Sequence, residues 1–90
     1  MQVLEDAVKR TWYIRLRCAE AVLRQCCDAL AKETARCRSQ SIDPITDVAT
    51  QTAKFRRHFA EVEVLRISDI IVQKFGNECL EIYAREKGAA

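Results

Sequence analysis

Ser39-Gln40-Ser41-Ile42-Asp43-Pro44-Ile45-Thr46-Asp47 is the stretch that decides the fold. It holds the only proline of the chain and separates two long runs without helix breakers. Ala, Leu, Arg, Glu and Lys dominate the run before it, which predicts a first helix from about Val3 to Arg38. Residues 39–43 then read as a loop. Asp43 is placed to cap the next helix, with Pro44 at its first position, where the missing N–H costs nothing. Asp47 adds negative charge near the positive end of that helix. No Gly, Pro or Asn follows until Gly76-Asn77, so the second helix is expected over about 44–75. Gly76 can end it, and a short third helix is expected over about 78–87. The reading is one all-α domain, residues 1–90, built as a long antiparallel helical hairpin.

Composition supports this by exclusion. Two Gly and one Pro in 90 residues cannot supply the turns of a sandwich, a barrel or a βαβ array. No apolar run reaches the ~18 residues of a membrane span. The start Met1-Gln2-Val3-Leu4-Glu5-Asp6 is acidic and lacks a basic-then-apolar leader, so a cytoplasmic setting is expected and a membrane partner is not. A hydrophobic content of 49 % argues against disorder.

The apolar residues say how the hairpin closes. Placed at about 100° per residue, Leu4, Val8, Trp12, Cys18, Ala19, Val22, Leu23, Cys26, Ala29 and Leu30 fall on one side of the first helix. Ile14, Leu16 and Ala21 widen that stripe. The second helix carries two stripes. The first is Ile45, Val48, Thr52, Phe55, Phe59 and Val62. The second is Val64, Ile67, Ile71, Phe75, Cys79 and Ile82, offset by roughly half a turn. Glu61-Val62-Glu63-Val64 alternates like a strand, but the helical flanks outweigh it. Either the chain breaks near Glu61–Glu63 or one long helix packs its halves on different partners; with no turn residue there, a continuous or gently kinked helix is the expectation. So much apolar surface on ninety residues predicts an interface. Its core is expected at Val8, Trp12, Leu23, Leu30, Phe55, Phe59, Val64, Ile67, Ile71, Phe75 and Ile82. A homodimeric helical bundle closes it most simply. Tyr13 leans outward and is a candidate interface anchor.

Two charged residues break the stripe of the first helix. Arg15 and Glu33 both project toward its middle, five turns apart, so they cannot meet within one helix. Two antiparallel copies crossing near Arg24 would pair them between chains and fix the register.

Five cysteines, Cys18, Cys26, Cys27, Cys37 and Cys79, are an odd set and read as reduced thiols. Cys18, Cys26 and Cys37 point to the apolar side, and Cys27 away from it. Cys27 and Cys37 form a C-x9-C spacing that resembles the helical-hairpin proteins of the mitochondrial intermembrane space. That family carries a second such pair on the facing helix, where this chain has Cys79 alone. No C-x-x-C exists, and the single His58 lies in a basic run, so neither a metal nor a cofactor is expected.

The basic residues form a ridge, Arg10, Arg17, Arg24 and Arg38 at multiples of seven, and a cluster, Lys54, Arg56, Arg57 and His58. Residues 1–43 carry 8 positive and 6 negative charges, residues 44–60 carry 3 and 1, and residues 61–90 carry 4 and 6. Phosphate contact or docking on an acidic protein are the readings open to such a face. Residues 67–85 resemble a helix-turn-helix, with Gly76 as the turn and Ile82 as the buried residue of the second helix. Asn77 departs from the apolar anchor of that motif, and Glu78, Glu81 and Glu86 would repel DNA. Enzyme motifs are absent: there is no phosphate loop and no nucleophile elbow. Glu61, Glu63 and Asp69 do not have the spacing of helical nucleotide pyrophosphohydrolases. The expected function is therefore a non-catalytic protein–protein interaction module (adaptor, small subunit or inhibitor-type protein) acting as a homo-oligomer with another protein as target. A nucleic-acid-associated regulator using the basic face is the second reading.

Overall fold

A computed structural model describes the backbone of residues 2–89 and the side chains of residues 6–86. Leu4, placed on the apolar stripe above, lies outside the described side chains. Three helices follow in order: α1 Gln2–Ser39, α2 Val48–Phe75 and α3 Glu78–Ala89. Among the described residues there is no strand, and α1 and α2 pack as a hairpin. The molecule measures 59 × 24 × 17 Å. α3 covers one end of one side of the hairpin.

α1 ends in a Schellman motif. Ile42 N–H donates to the Cys37 carbonyl at 2.8 Å and Ser41 N–H to that of Arg38 at 3.4 Å. Ser41 takes the left-handed conformation the motif needs, with φ 56°.

The next helix starts later than expected. Asp43 caps no helix: its carboxylate accepts from Ile45 N–H at 3.0 Å, and Thr46 N–H closes a turn on its carbonyl. Pro44 sits inside that turn. The N-cap is Asp47. Its carboxylate accepts from the Thr50 N–H at 2.9 Å and from the Thr50 hydroxyl at 2.8 Å. The Arg36 guanidinium reaches the same oxygen from α1 while holding Glu33 at 2.8 Å. Asp47 prevails over Asp43 because only Asp47 ties the new helix to the old one. Hydrogen bonds from Arg36 and Thr50 hold its carboxyl down at about 2. A lowered carboxyl adds stability above the unfolded value near 4, and that stability is lost as pH falls through 2. Asp47→Ala should therefore lower the melting temperature at pH 7 and have much less effect at pH 2, read by circular dichroism. Equal losses at both values would rule the clamp out.

α2 runs unbroken through Glu61–Val64. Its buried residues are Thr50, Ala53, Ala60, Ile67 and Ile71. Those of α1 are Leu16, Ala19 and Cys37, with Leu23, Cys26 and Leu30 half-buried along the same line. Both sets step by threes, fours and sevens, the spacing of a coiled-coil seam. At the loop end the Cys37 thiol and the Thr50 hydroxyl hydrogen-bond at 3.2 Å, both buried. In the middle of the seam α2 contributes Ala53 and Ala60, and α1 contributes Leu23, Cys26 and Leu30. At the other end lies the real core, Leu16, Ala19, Ile67, Ile71, Cys79 and Tyr83. Trp12, Tyr13, Val64, Phe75 and Leu80 pack around it.

Gly76, at φ 90°, ends α2, its N–H donating to the Val72 carbonyl. α3 then folds back onto α1. The Tyr13 hydroxyl donates to the Cys79 carbonyl at 3.2 Å, and Tyr83 donates to Glu20 at 3.1 Å. Tyr13 is thus a member of the internal core, not an outward anchor. The helix-turn-helix likeness fails in phase. Tyr83 is buried, whereas Ile82 is 44 % exposed.

Candidate interaction surface

In the half of α2 nearer the loop the buried seam uses small residues, Thr50, Ala53 and Ala60, and leaves the large ones outside. Phe55 is 63 % exposed, Phe59 66 %, and Ile45, Val48, Val62 and Leu65 are exposed as well. Val48, Phe55, Phe59 and Val62 recur at spacings of seven, four and three. They form a row roughly 130–140° around α2 from the seam. This is the first of the two stripes read from the sequence, and α1 does not cover it. On α1, Ile14, Val22 and Val8 are exposed.

Two shallow grooves run between the helices. One, of about 480 Å³, is lined by Trp12, Ile14, Arg15, Cys18, Val22, Glu63 and Arg66, with Ala19, Ala60 and Ile67 beneath. The other, of about 440 Å³, lies nearer the loop, between Gln25, Cys26, Ala29 and Glu33 of α1 and Ala49, Thr52, Ala53 and Arg56 of α2. Ile14, Cys18, Val22, Gln25 and Ala29 follow one another by fours and threes. Both grooves therefore open on one side of the hairpin. α3 occupies the other side, where Tyr13 and Glu20 meet it. On α2 the row Thr52, Arg56, Phe59, Glu63, Arg66 also steps by fours and threes, and so sets Phe59 at the rim between the two grooves.

The residues expected at an interface are thereby sorted. Ile67 and Ile71 are buried in the internal core, and Trp12, Val64 and Phe75 pack against it. Leu23 and Leu30 are half-buried in the seam. Phe55, Phe59, Val8 and Ile82 remain on the surface. Sequence reasoning passed over Ala53, Ala60 and Thr50 as the seam of α2, though the seven-residue step from 53 to 60 to 67 was there to be read. Cys18, expected on the covered side, is exposed like Cys27; Cys37 and Cys79 are buried, and Cys26 lies between.

The charged residues also separate. Arg15 lies over the Trp12 ring, 4.8 Å from its centroid. Glu33 holds Arg36 at 2.8 Å, and Glu63 receives Arg66 through two hydrogen bonds, which lower its pKa. Arg10, Arg17, Arg24, Arg38, Lys54, Arg56, Arg57 and His58 are all exposed. Ridge and cluster are each partly answered in charge: Arg10 shares a cleft with Asp6 and Glu86, and Arg57 pairs with Glu61 at 3.7 Å.

Among the described residues no three His, Cys, Asp or Glu side chains gather in a way that could hold a metal. No helix among them is long and apolar enough to cross a membrane. Comparison of the chain with protein-family models, with curated proteins and with solved structures found no match in any of the three.

Proposed function

We propose that this protein is a non-catalytic helical interaction module, of adaptor, small-subunit or inhibitor type, that works with its grooved apolar face closed by another chain. The observation that carries this reading is the exposed row Val48, Phe55, Phe59 and Val62 beside two apolar grooves on one side of a thin hairpin. Side chains of this size cost free energy in water, roughly 25 cal/mol for each Å² of apolar surface left uncovered. Contiguous patches of this kind mark interaction sites. Aromatic residues are the usual anchors of such sites. Self-association is the economical way to close the face, and a reducing cytosolic setting suits the five free cysteines.

The nucleic-acid reading is the weaker one. Arg10 and Arg57 lie beside carboxylates, which reduces the charge available to phosphates.

The test is the mass in solution of the intact chain by light scattering. Twice the chain mass at micromolar concentration is expected. Phe55→Asp combined with Phe59→Asp should return it to the monomer with helicity unchanged, since neither ring contributes to the internal core. A wild-type monomer that captures no other protein would overturn the proposal.

A further inference from the structure

The two grooves are unlike in charge, and the difference has a pattern. The groove nearer α3 carries Arg15 from α1, and Glu63 with its partner Arg66 from α2. The groove nearer the loop carries Glu33 from α1 and Arg56 from α2. α1 thus presents a cation to the first groove and an anion to the second, while α2 presents the Glu63–Arg66 pair to the first and Arg56 to the second.

The spacing matters as much as the signs. Arg24 is equidistant in sequence from Arg15 and Glu33. The bond between Phe59 and Ala60 is equidistant from Arg56 and Glu63. Both midpoints fall at the divide between the grooves. On α1 the first groove ends at Val22 and the second begins at Gln25; on α2 the second ends at Arg56 and the first begins at Ala60. α1 and α2 are antiparallel, so one line drawn across the hairpin passes through both midpoints.

We infer that the occupant of this face is a second copy of the chain, related by a two-fold axis along that line, so that each groove lies on the other groove of its partner. α1 then packs antiparallel on α1 and α2 on α2. Arg15 of each copy meets Glu33 of the other, and Arg56 meets Glu63. Four complementary contacts form from two sequence pairs, as isologous symmetry requires. Phe59, adjacent to the axis, meets its own counterpart.

The same operation sets the basic block 54–58 of one α2 against Glu61 and Glu63 of the other. A parallel arrangement would instead set Arg15 against Arg15 and Arg56 against Arg56. Among the described residues, neither Arg15 nor Arg56 has a carboxylate within ion-pair distance in its own chain, whereas Glu33 and Glu63 each hold an arginine of their own chain, Arg36 and Arg66, so a contact between copies adds a second cation to each carboxylate. Charge placement of this kind fixes register and orientation more than it adds affinity.

The inference rests on the interaction-module reading and is tested apart from it by charge reversal in the full chain, with the dimer dissociation constant measured by sedimentation. Arg15→Glu alone and Glu33→Arg alone should each weaken the dimer at least tenfold, because each replaces two attractive contacts with two repulsive ones. The double variant should return to within about threefold of wild type. Arg56→Glu, Glu63→Arg and their combination should behave alike. Circular dichroism checks that each variant is folded. Arg15→Gln and Arg56→Gln serve where a reversal disturbs the helix, with weakening of about threefold expected.

A wild-type dimer that Phe59→Asp dissociates, but that charge reversals leave unmoved, would overturn the antiparallel register and keep the interaction module. A dimer tightened by Arg15→Gln alone would indicate the parallel arrangement, since neutralisation there removes the Arg15–Arg15 repulsion. A wild-type monomer at 100 micromolar would remove the second copy as occupant.

Discussion

Ile71→Ala should lower the unfolding free energy by about 3 kcal/mol, within the 2–5 kcal/mol typical of a buried isoleucine truncation. Ile71 is fully enclosed, at 0 % exposure. It lies among Leu16, Ala19, Ile67, Cys79 and Tyr83, where all three helices converge. The neighbours are helix-borne and cannot collapse into the space without moving a backbone, so most of the cavity should persist. A chain this small has only a few kcal/mol of net stability. The variant should therefore be substantially unfolded at 37 °C. Urea unfolding followed by circular dichroism measures the loss, at one fixed protein concentration so that association does not shift the midpoint. Val62→Ala, on the open face, should cost the isolated chain less than about 0.5 kcal/mol. If the two variants lost equal stability, the core would be misplaced.

Alkaline pH should release α3 before it melts the hairpin. Burial, then the hydrogen bond to Cys79, pushes the Tyr13 phenol up to about 12. Burial and the bond to Glu20 push Tyr83 up to about 12 as well. The folded chain holds both phenols neutral beyond the ordinary value near 10. A raised phenol contributes stability that is complete below pH 10 and is lost as pH rises through 12. Both rings join α3 to α1, 5.5 Å apart, so the transition should appear as tyrosinate absorbance together with a partial loss of helicity. Tyr13→Phe with Tyr83→Phe removes the ionisation and should hold helicity to higher pH. Phenols that titrate near 10 with helicity untouched would contradict the packing of α3.

The architecture was legible because its signals are local. Uninterrupted helix formers flank one proline-bearing stretch, and Gly76 ends α2 with a positive φ that few other residues accept. The details that escaped depend on partners distant in sequence. Asp43 and Asp47 are equally good caps as residue types; Arg36, across the turn, decides between them. Tyr13 was placed by angle alone, and nothing on α1 indicates that α3 returns to cover it.

The seam of α2 escaped for a different reason. Weighting by hydrophobicity draws attention to Phe55 and Phe59, whereas a close approach of two helices selects Ala53 and Ala60. Two apolar faces on one helix look like a contradiction until one is read as internal and the other as external. The proposed pairing of Arg15 with Glu33 rests on their spacing in the sequence. Its counterpart, Arg56 and Glu63, needed the grooves.

The alanines beneath those grooves have a second consequence. Ala19 and Ala60 floor one depression, and Ala53 lies in the other. The residues that let the helices come together are also those that leave room above them. Enlarging any of the three would lift the floor and part the helices in one step. Internal cohesion and the capacity to admit a foreign side chain are thus governed by the same three methyl groups, and neither property can drift without changing the other.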